Sequence, residues 1–174
     1  MKKILSLLLI SVLMFSTVSA LAADKVGVAM PTQSLPRWVR DGELMKTKLE
    51  AAGFEVDLQF ANNDVATQVS QLENMISGGA KVLVVASIDG SALDTVLATA
   101  KEAGIPIIAY DRLLTDTKNV DYYTTFDNYK VGQIQGQYIV DRFKLADESV
   151  TGPFTIEFTA GSPDDNNAGL FFNG

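Results

Sequence analysis

The chain has 174 residues, no cysteine and no histidine, and 21 acidic against 14 basic side chains, for a net charge of −7. The missing residue types exclude disulfide frameworks, thiol nucleophiles, Cys/His zinc sites and imidazole acid–base chemistry. The acidic balance repels nucleic acid and anionic lipid, so no nucleic-acid partner is expected.

Lys2 and Lys3 precede an apolar run at 4–15, broken only by Ser6 and Ser11. Small residues follow, with Ala20, Leu21 and Ala22 as a cleavage site. This is the three-part layout of a secretory signal peptide over 1–22. The run is too short for a bilayer span, which needs roughly 20 apolar residues. A membrane anchor or a buried helix is the alternative. No cysteine stands at the cleavage site, so a lipid-anchored product is excluded. Loss of Lys2 and Lys3 makes the exported product more acidic still.

Strand and helix signals then alternate. Residues 25–30 form a short apolar run suited to a strand buried on both faces. A loop with Pro31 and Pro36 leads to a helix over 38–52, stopped by Gly53. Residues 54–60 alternate Phe54, Val56, Leu58 and Phe60 with polar side chains, the pattern of a half-exposed edge strand. Asp64 caps the next helix, whose apolar face is read as Val65, Val69, Leu72 and Ile76, before Gly78 and Gly79 end it. A buried strand at 81–86, a turn, a helix at 91–103 closed by Gly104 and a fourth strand at 105–110 repeat the rhythm. After a polar loop come a strand near 121–125 and an amphipathic helix presenting Val131, Ile134 and Tyr138. One more strand is read at 154–158, then a loop at 161–167 before a last helix. Such alternation means right-handed β-α-β crossovers, so the fold class is α/β with a mainly parallel, doubly wound sheet.

In a parallel sheet of this kind ligands bind beyond the carboxyl ends of the strands, so the candidate stretches are 31–38, 62–64, 87–89, 111–112 and 162–167. Arg37 offers a planar fork of donors and Trp38 a flat apolar face; alternatively, Trp38 anchors its helix in the core beside a surface arginine. Asp111 and Arg112 end the fourth strand, where a carboxylate can accept from neighbouring hydroxyls and the guanidinium can donate to another; a local ion pair is the alternative. Asp164, Asp165, Asn166 and Asn167 can bind hydroxyls, but serve equally as a helix cap or Asx turn. The last group lacks the alternating acidic positions and bidentate glutamate of a calcium loop, so no metal is expected. Neither G-x-G-x-x-G nor a P-loop follows the first strand, and there is no G-x-S-x-G elbow, so no cofactor is expected and catalysis is disfavoured. Asp127 and Asn128 are read only as a helix cap.

Four stretches together resemble the periplasmic sugar-binding proteins of the ribose/galactose/xylose type, the type I periplasmic binding proteins, and among them the xylose-binding and multiple-sugar-binding branch. They are PRW at 36–38, QLENMI at 71–76, AYDR at 109–112 with FDN at 126–128, and GSPDDNNA at 161–168. The resemblance implies two α/β lobes joined by a hinge and closing on one monosaccharide, xylose or a related aldose. Arg37, Asp111 and Arg112 would bond its hydroxyls, Trp38 would stack on the ring, and Asp165 and Asn167 would reach across from the second lobe. It also implies a periplasmic, non-enzymatic receptor that docks on the membrane permease of an ABC importer. The same closed surface would serve a chemoreceptor or sensor kinase; an exported α/β enzyme or an inert truncated product are the other readings. The expected division is a signal peptide at 1–22, a first lobe at 23–125, and the incomplete start of a second lobe at 126–174, which makes the sequence the N-terminal half of a longer protein.

Overall fold

The computed structural model describes residues 23–174, so the expected leader at 1–22 lies outside it. Six-residue strand β1 (Lys25–Met30) is an inner strand of the sheet, and its last five residues are buried. It pairs in parallel with β2 (Glu55–Phe60) on one side and with β3 (Ala80–Val85) on the other. Beyond β3 lie β4 (Ile107–Tyr110) and then β5 (Tyr122–Thr124), both parallel. The order β2-β1-β3-β4-β5 leaves β2 at one edge, as the period of two in its sequence requires. Helices α1 (Pro36–Ala51), α2 (Val65–Ser77) and α3 (Asp94–Glu102) make the crossovers, and α4 (Asn128–Phe143) and α5 (Asn166–Asn173) follow.

Burial on both faces explains the unbroken apolar runs. Along β1, Val26, Val28 and Met30 pack with Trp38, Met45 and Leu49 of α1. Ala29 on the other face joins Leu72 and Met75 of α2 and Val96, Leu97 and Ala100 of α3. Pro36 opens α1 in its first turn, where its lost N–H would have had no helical partner. The helix exit needs a left-handed backbone, and Gly53 takes it at φ +93°.

Three expectations need correction. The fully buried face of α2 is Gln68, Leu72 and Met75, whereas Val69 and Ile76 only flank the core. A glutamine holds an interior position because both ends of its amide are used. Its Nε2 donates to the Ala86 carbonyl and its Oε1 accepts from the Ile88 amide, each at 3.0 Å. Those backbone groups lie just past the end of β3, where no strand neighbour can take them. The expected strand at 154–158 is absent, and these residues are exposed without secondary structure. A strand needs a neighbour to satisfy its backbone, and the sheet of the described residues ends at β5. The third correction concerns α4. Ile134 and Tyr138 face outward, Tyr138 at 66% exposure, and α4 instead buries Asn128 and Gly132. At Gly132 the Phe171 backbone of α5 passes so close that any Cβ would overlap it.

Gln68 therefore ties a helix to the strand end on which the candidate site is built. Replacing Gln68 with leucine strands two buried backbone groups and should lower stability by about 2–4 kcal/mol. Urea unfolding at unchanged slope measures this; a midpoint equal to wild type would show that the amide is not a tether.

Candidate functional site

All five strands run the same way, so the turns after β1, β3, β4 and β5 share one edge of the sheet. The first turn of α1, just beyond β1, presents Arg37. Its Nη2 donates to Asp111 Oδ1 at 2.6 Å, and its Nε donates to Asp41 Oδ2 at 3.2 Å. Burial of the guanidinium works against its charge, but Asp111 and Asp41 outweigh it and hold the Arg37 pKa above its ordinary value. Asp111 itself is buried, directly after β4, at φ +62°. Aspartate tolerates this left-handed backbone better than most residues, and the bend turns its carboxylate out of the strand line toward Arg37.

Arg112 works on the opposite side. Its Nη1 donates to the Ser87 carbonyl at 2.9 Å, beyond β3, and its Nη2 pairs with Asp165 Oδ2 at 3.0 Å. Trp38 lies between the two arginines. The guanidinium carbons stand 5.0 Å (Arg37) and 5.4 Å (Arg112) from its ring centroid, within cation–π range. The ring is only 4% exposed and belongs to the core beside Val28 and Val84. The core-anchor reading of Trp38 thus describes its position, while the two guanidiniums use its face.

The segment before and within α5 is fastened to the same point. Asp165 caps α5, its Oδ1 accepting from the Asn167 amide at 3.0 Å while its Oδ2 holds Arg112. The cap and the site role are compatible, because a carboxylate has two oxygens. Asn167 Nδ2 donates to the Asp111 carbonyl at 3.0 Å, an oxygen that also accepts from Thr125 Oγ1 at 2.8 Å. All six expected residues, Arg37, Trp38, Asp111, Arg112, Asp165 and Asn167, therefore meet in one cluster.

Two contributors escaped the sequence reading. Asp127 does cap α4, accepting from the Lys130 amide at 2.9 Å. Its neighbour Asn128, treated only as part of that cap, is buried and donates from Nδ2 to Asn167 Oδ1 at 2.9 Å. Asp41 also went unremarked, although its spacing of one helical turn from Arg37 was a usable signal. Ser87 Oγ and Arg112 Nε are buried without a partner, two polar atoms at the site with capacity to spare. A separate cavity of about 500 Å³ between α4, α5 and Phe158 touches the cluster only through Asp165, and Ile139, Phe158 and Phe172 give it an apolar wall. Among the described residues no group of three or more acidic side chains is placed to hold a metal ion.

The cluster is a set of charged donors and acceptors at one edge of the sheet, with the Trp38 ring buried beneath its two arginines. A family model described as a periplasmic binding protein domain matches residues 26–174. The multiple sugar-binding periplasmic protein SbpA of Azospirillum brasilense is 52% identical over 94% of this chain and 46% of its own length. The multiple sugar-binding periplasmic receptor ChvE of Rhizobium radiobacter is also 52% identical, over 100% of this chain and 50% of its own. The solved structure of an ABC transporter solute-binding protein from Clostridium phytofermentans with bound β-D-glucose is 57% identical, with a TM-score of 0.82 over 85% of this chain and 45% of that one. The chain spans about half the length of the curated relatives it matches. These relatives are binding proteins by name, not enzymes.

The Asn128 amide should hold α5 onto the sheet edge. With Asn128 changed to alanine, one net hydrogen bond of about 1 kcal/mol is lost, so amides of 166–173 should exchange roughly 5-fold faster with solvent deuterium while β1 and β3 keep their protection. Unchanged exchange in α5 would place its anchorage elsewhere.

Proposed function

We propose, from the premise that this chain belongs to the periplasmic binding protein domain family, that it forms most of one side and part of the other of a periplasmic monosaccharide receptor. Residues 23–125 make the first lobe, and 126–174 begin the second. Sugar enters between them, and the closed receptor hands it to the membrane permease of an ABC importer. The ligand is an aldose such as xylose or glucose. Exported by the leader at 1–22, the protein works as a carrier without turnover.

One observation carries this reading. The pair Arg37–Asp111 uses only part of each group, leaving Asp111 Oδ2 and the Nη1 edge of Arg37 with no partner among the described residues. A free acceptor beside a free donor matches two adjacent hydroxyls, and charge-assisted bonds to them are the stronger kind. Arg112, Asp165 and Asn167 link the two parts of the chain at the same place, so ligand binding and lobe closure share residues. The sugar-binding relatives support the ligand class, and the similar ABC transporter solute-binding protein of Clostridium phytofermentans supports the importer role.

Calorimetry on a receptor of the relatives' full length, against a panel of aldopentoses and aldohexoses, should give saturable binding of at least one. No binding across the panel, with uptake of an amino acid or peptide instead, would overturn the ligand class. The informative substitution is Asp111→Asn, because asparagine tolerates the left-handed backbone that alanine would strain. Replacing a charged acceptor by a neutral one should cost about 1–2 kcal/mol, roughly 5- to 30-fold in affinity. Wild-type affinity in this variant would remove Asp111 from the site.

A further inference from the structure

Arg37 starts a surface helix, and its side chain is 44% exposed. An arginine so placed normally samples many rotamers, and an exposed pair with an acid one turn along does little to restrain it. Here the acid is itself held. Asp41 Oδ2, which accepts from Arg37 Nε, also accepts from the Tyr110 hydroxyl at 3.2 Å. Tyr110 is the last residue of β4, and the next residue in the chain is Asp111, the other partner of Arg37. Four side chains therefore form a closed circuit, Tyr110 to Asp41 to Arg37 to Asp111, completed by the peptide bond between 110 and 111. Burial and the nearby Asp41 carboxylate raise the Tyr110 pKa, so the phenol keeps the proton it donates.

The circuit consumes the Nε–H of Arg37 and one Nη2 proton, and leaves the other Nη2 proton and both Nη1 protons without a partner among the described residues. Two attachment points on a planar guanidinium fix its plane as well as its position.

We propose that Asp41, backed by Tyr110, is a positioning residue that locks the Arg37 guanidinium in its ligand-ready orientation. Neither side chain touches the ligand; both act through Arg37. The inference rests on the sugar-binding reading of Arg37, but the circuit itself can be tested without sugar.

Two measurements test it. In the 174-residue chain, the Arg37 Nε–H should give a resolved, slowly exchanging ¹⁵N NMR signal in wild type and a broadened or fast-exchanging one in Asp41→Ala. In the receptor of full relative length, Asp41→Ala should weaken sugar binding about 5- to 20-fold and Tyr110→Phe about 2- to 5-fold. In an Arg37→Ala background, neither substitution should weaken binding further, because each acts through the missing fork. Equal losses in both backgrounds would assign Asp41 a general structural role and overturn the inference, as would an unchanged Nε–H signal. Tyr110→Phe removes a single oxygen and keeps the circuit testable should Asp41→Ala fold poorly. A wild-type receptor that binds no sugar, together with the expected change in the NMR signal, would refute the ligand reading and leave the circuit standing. No sugar binding and an unchanged signal would refute both.

Discussion

Five parallel strands in the order β2-β1-β3-β4-β5 place every strand-to-helix turn at the same edge, and this constraint creates the cluster. Residues distant in sequence reach one another because their strands end together. Arg37 meets Asp111 across 74 positions, and Asn167 meets the Asp111 carbonyl across 56. The order of strands sets the rest. With β1 beside β3 and β3 beside β4, the turn after β3 falls between those after β1 and β4, where the Ser87 carbonyl meets Arg112. Gln68 closes the polar groups at that turn from beneath, so core packing and site geometry meet in one amide.

Asp111 shows how much a single backbone angle can organise. In an extended conformation its side chain would continue the alternation of β4. At φ +62° the chain bends, and the residue presents three faces at once. Its amide donates to Thr124, its carbonyl gathers Thr125 and Asn167, and its carboxylate takes Arg37. The cost of the left-handed backbone angle is offset by these bonds.

Much of this was legible in the residues. Apolar runs at 25–30 and 81–86 announced strands covered on both faces, and each of Asp64 and Asp127 caps the helix it precedes. Strand ends in a parallel sheet are where polar side chains converge, which drew attention to Arg37, Trp38, Asp111 and Arg112; Asp165 and Asn167 were singled out of a polar cluster by the family resemblance, and no strand precedes them. The misreadings have physical causes. Periodicity counts apolar residues, so it placed Val65 on the buried face of α2 and overlooked Gln68, whose burial depends on two backbone partners distant in sequence. The same rule assigned Ile134 and Tyr138 to a packed face, although no element of the described chain covers them. Phe154, Ile156 and Phe158 have the period of a strand, yet a period is a preference and a strand requires a neighbour. Asn128 was hidden by its own cap motif: a residue beside a good capping aspartate invites no second role.

The central claim is that the edge cluster around Arg37 and Asp111 is where a monosaccharide sits. A crystal structure of the receptor, at the full length of its relatives and with a bound aldose, tests it most directly. The account predicts sugar hydroxyl oxygens about 2.6–3.2 Å from both Asp111 and Arg37, with Arg112, Asp165 and Asn167 around the same ring. A sugar bound elsewhere, such as in the cavity between α4 and α5, with the Arg37–Asp111 pair left facing solvent, would contradict it.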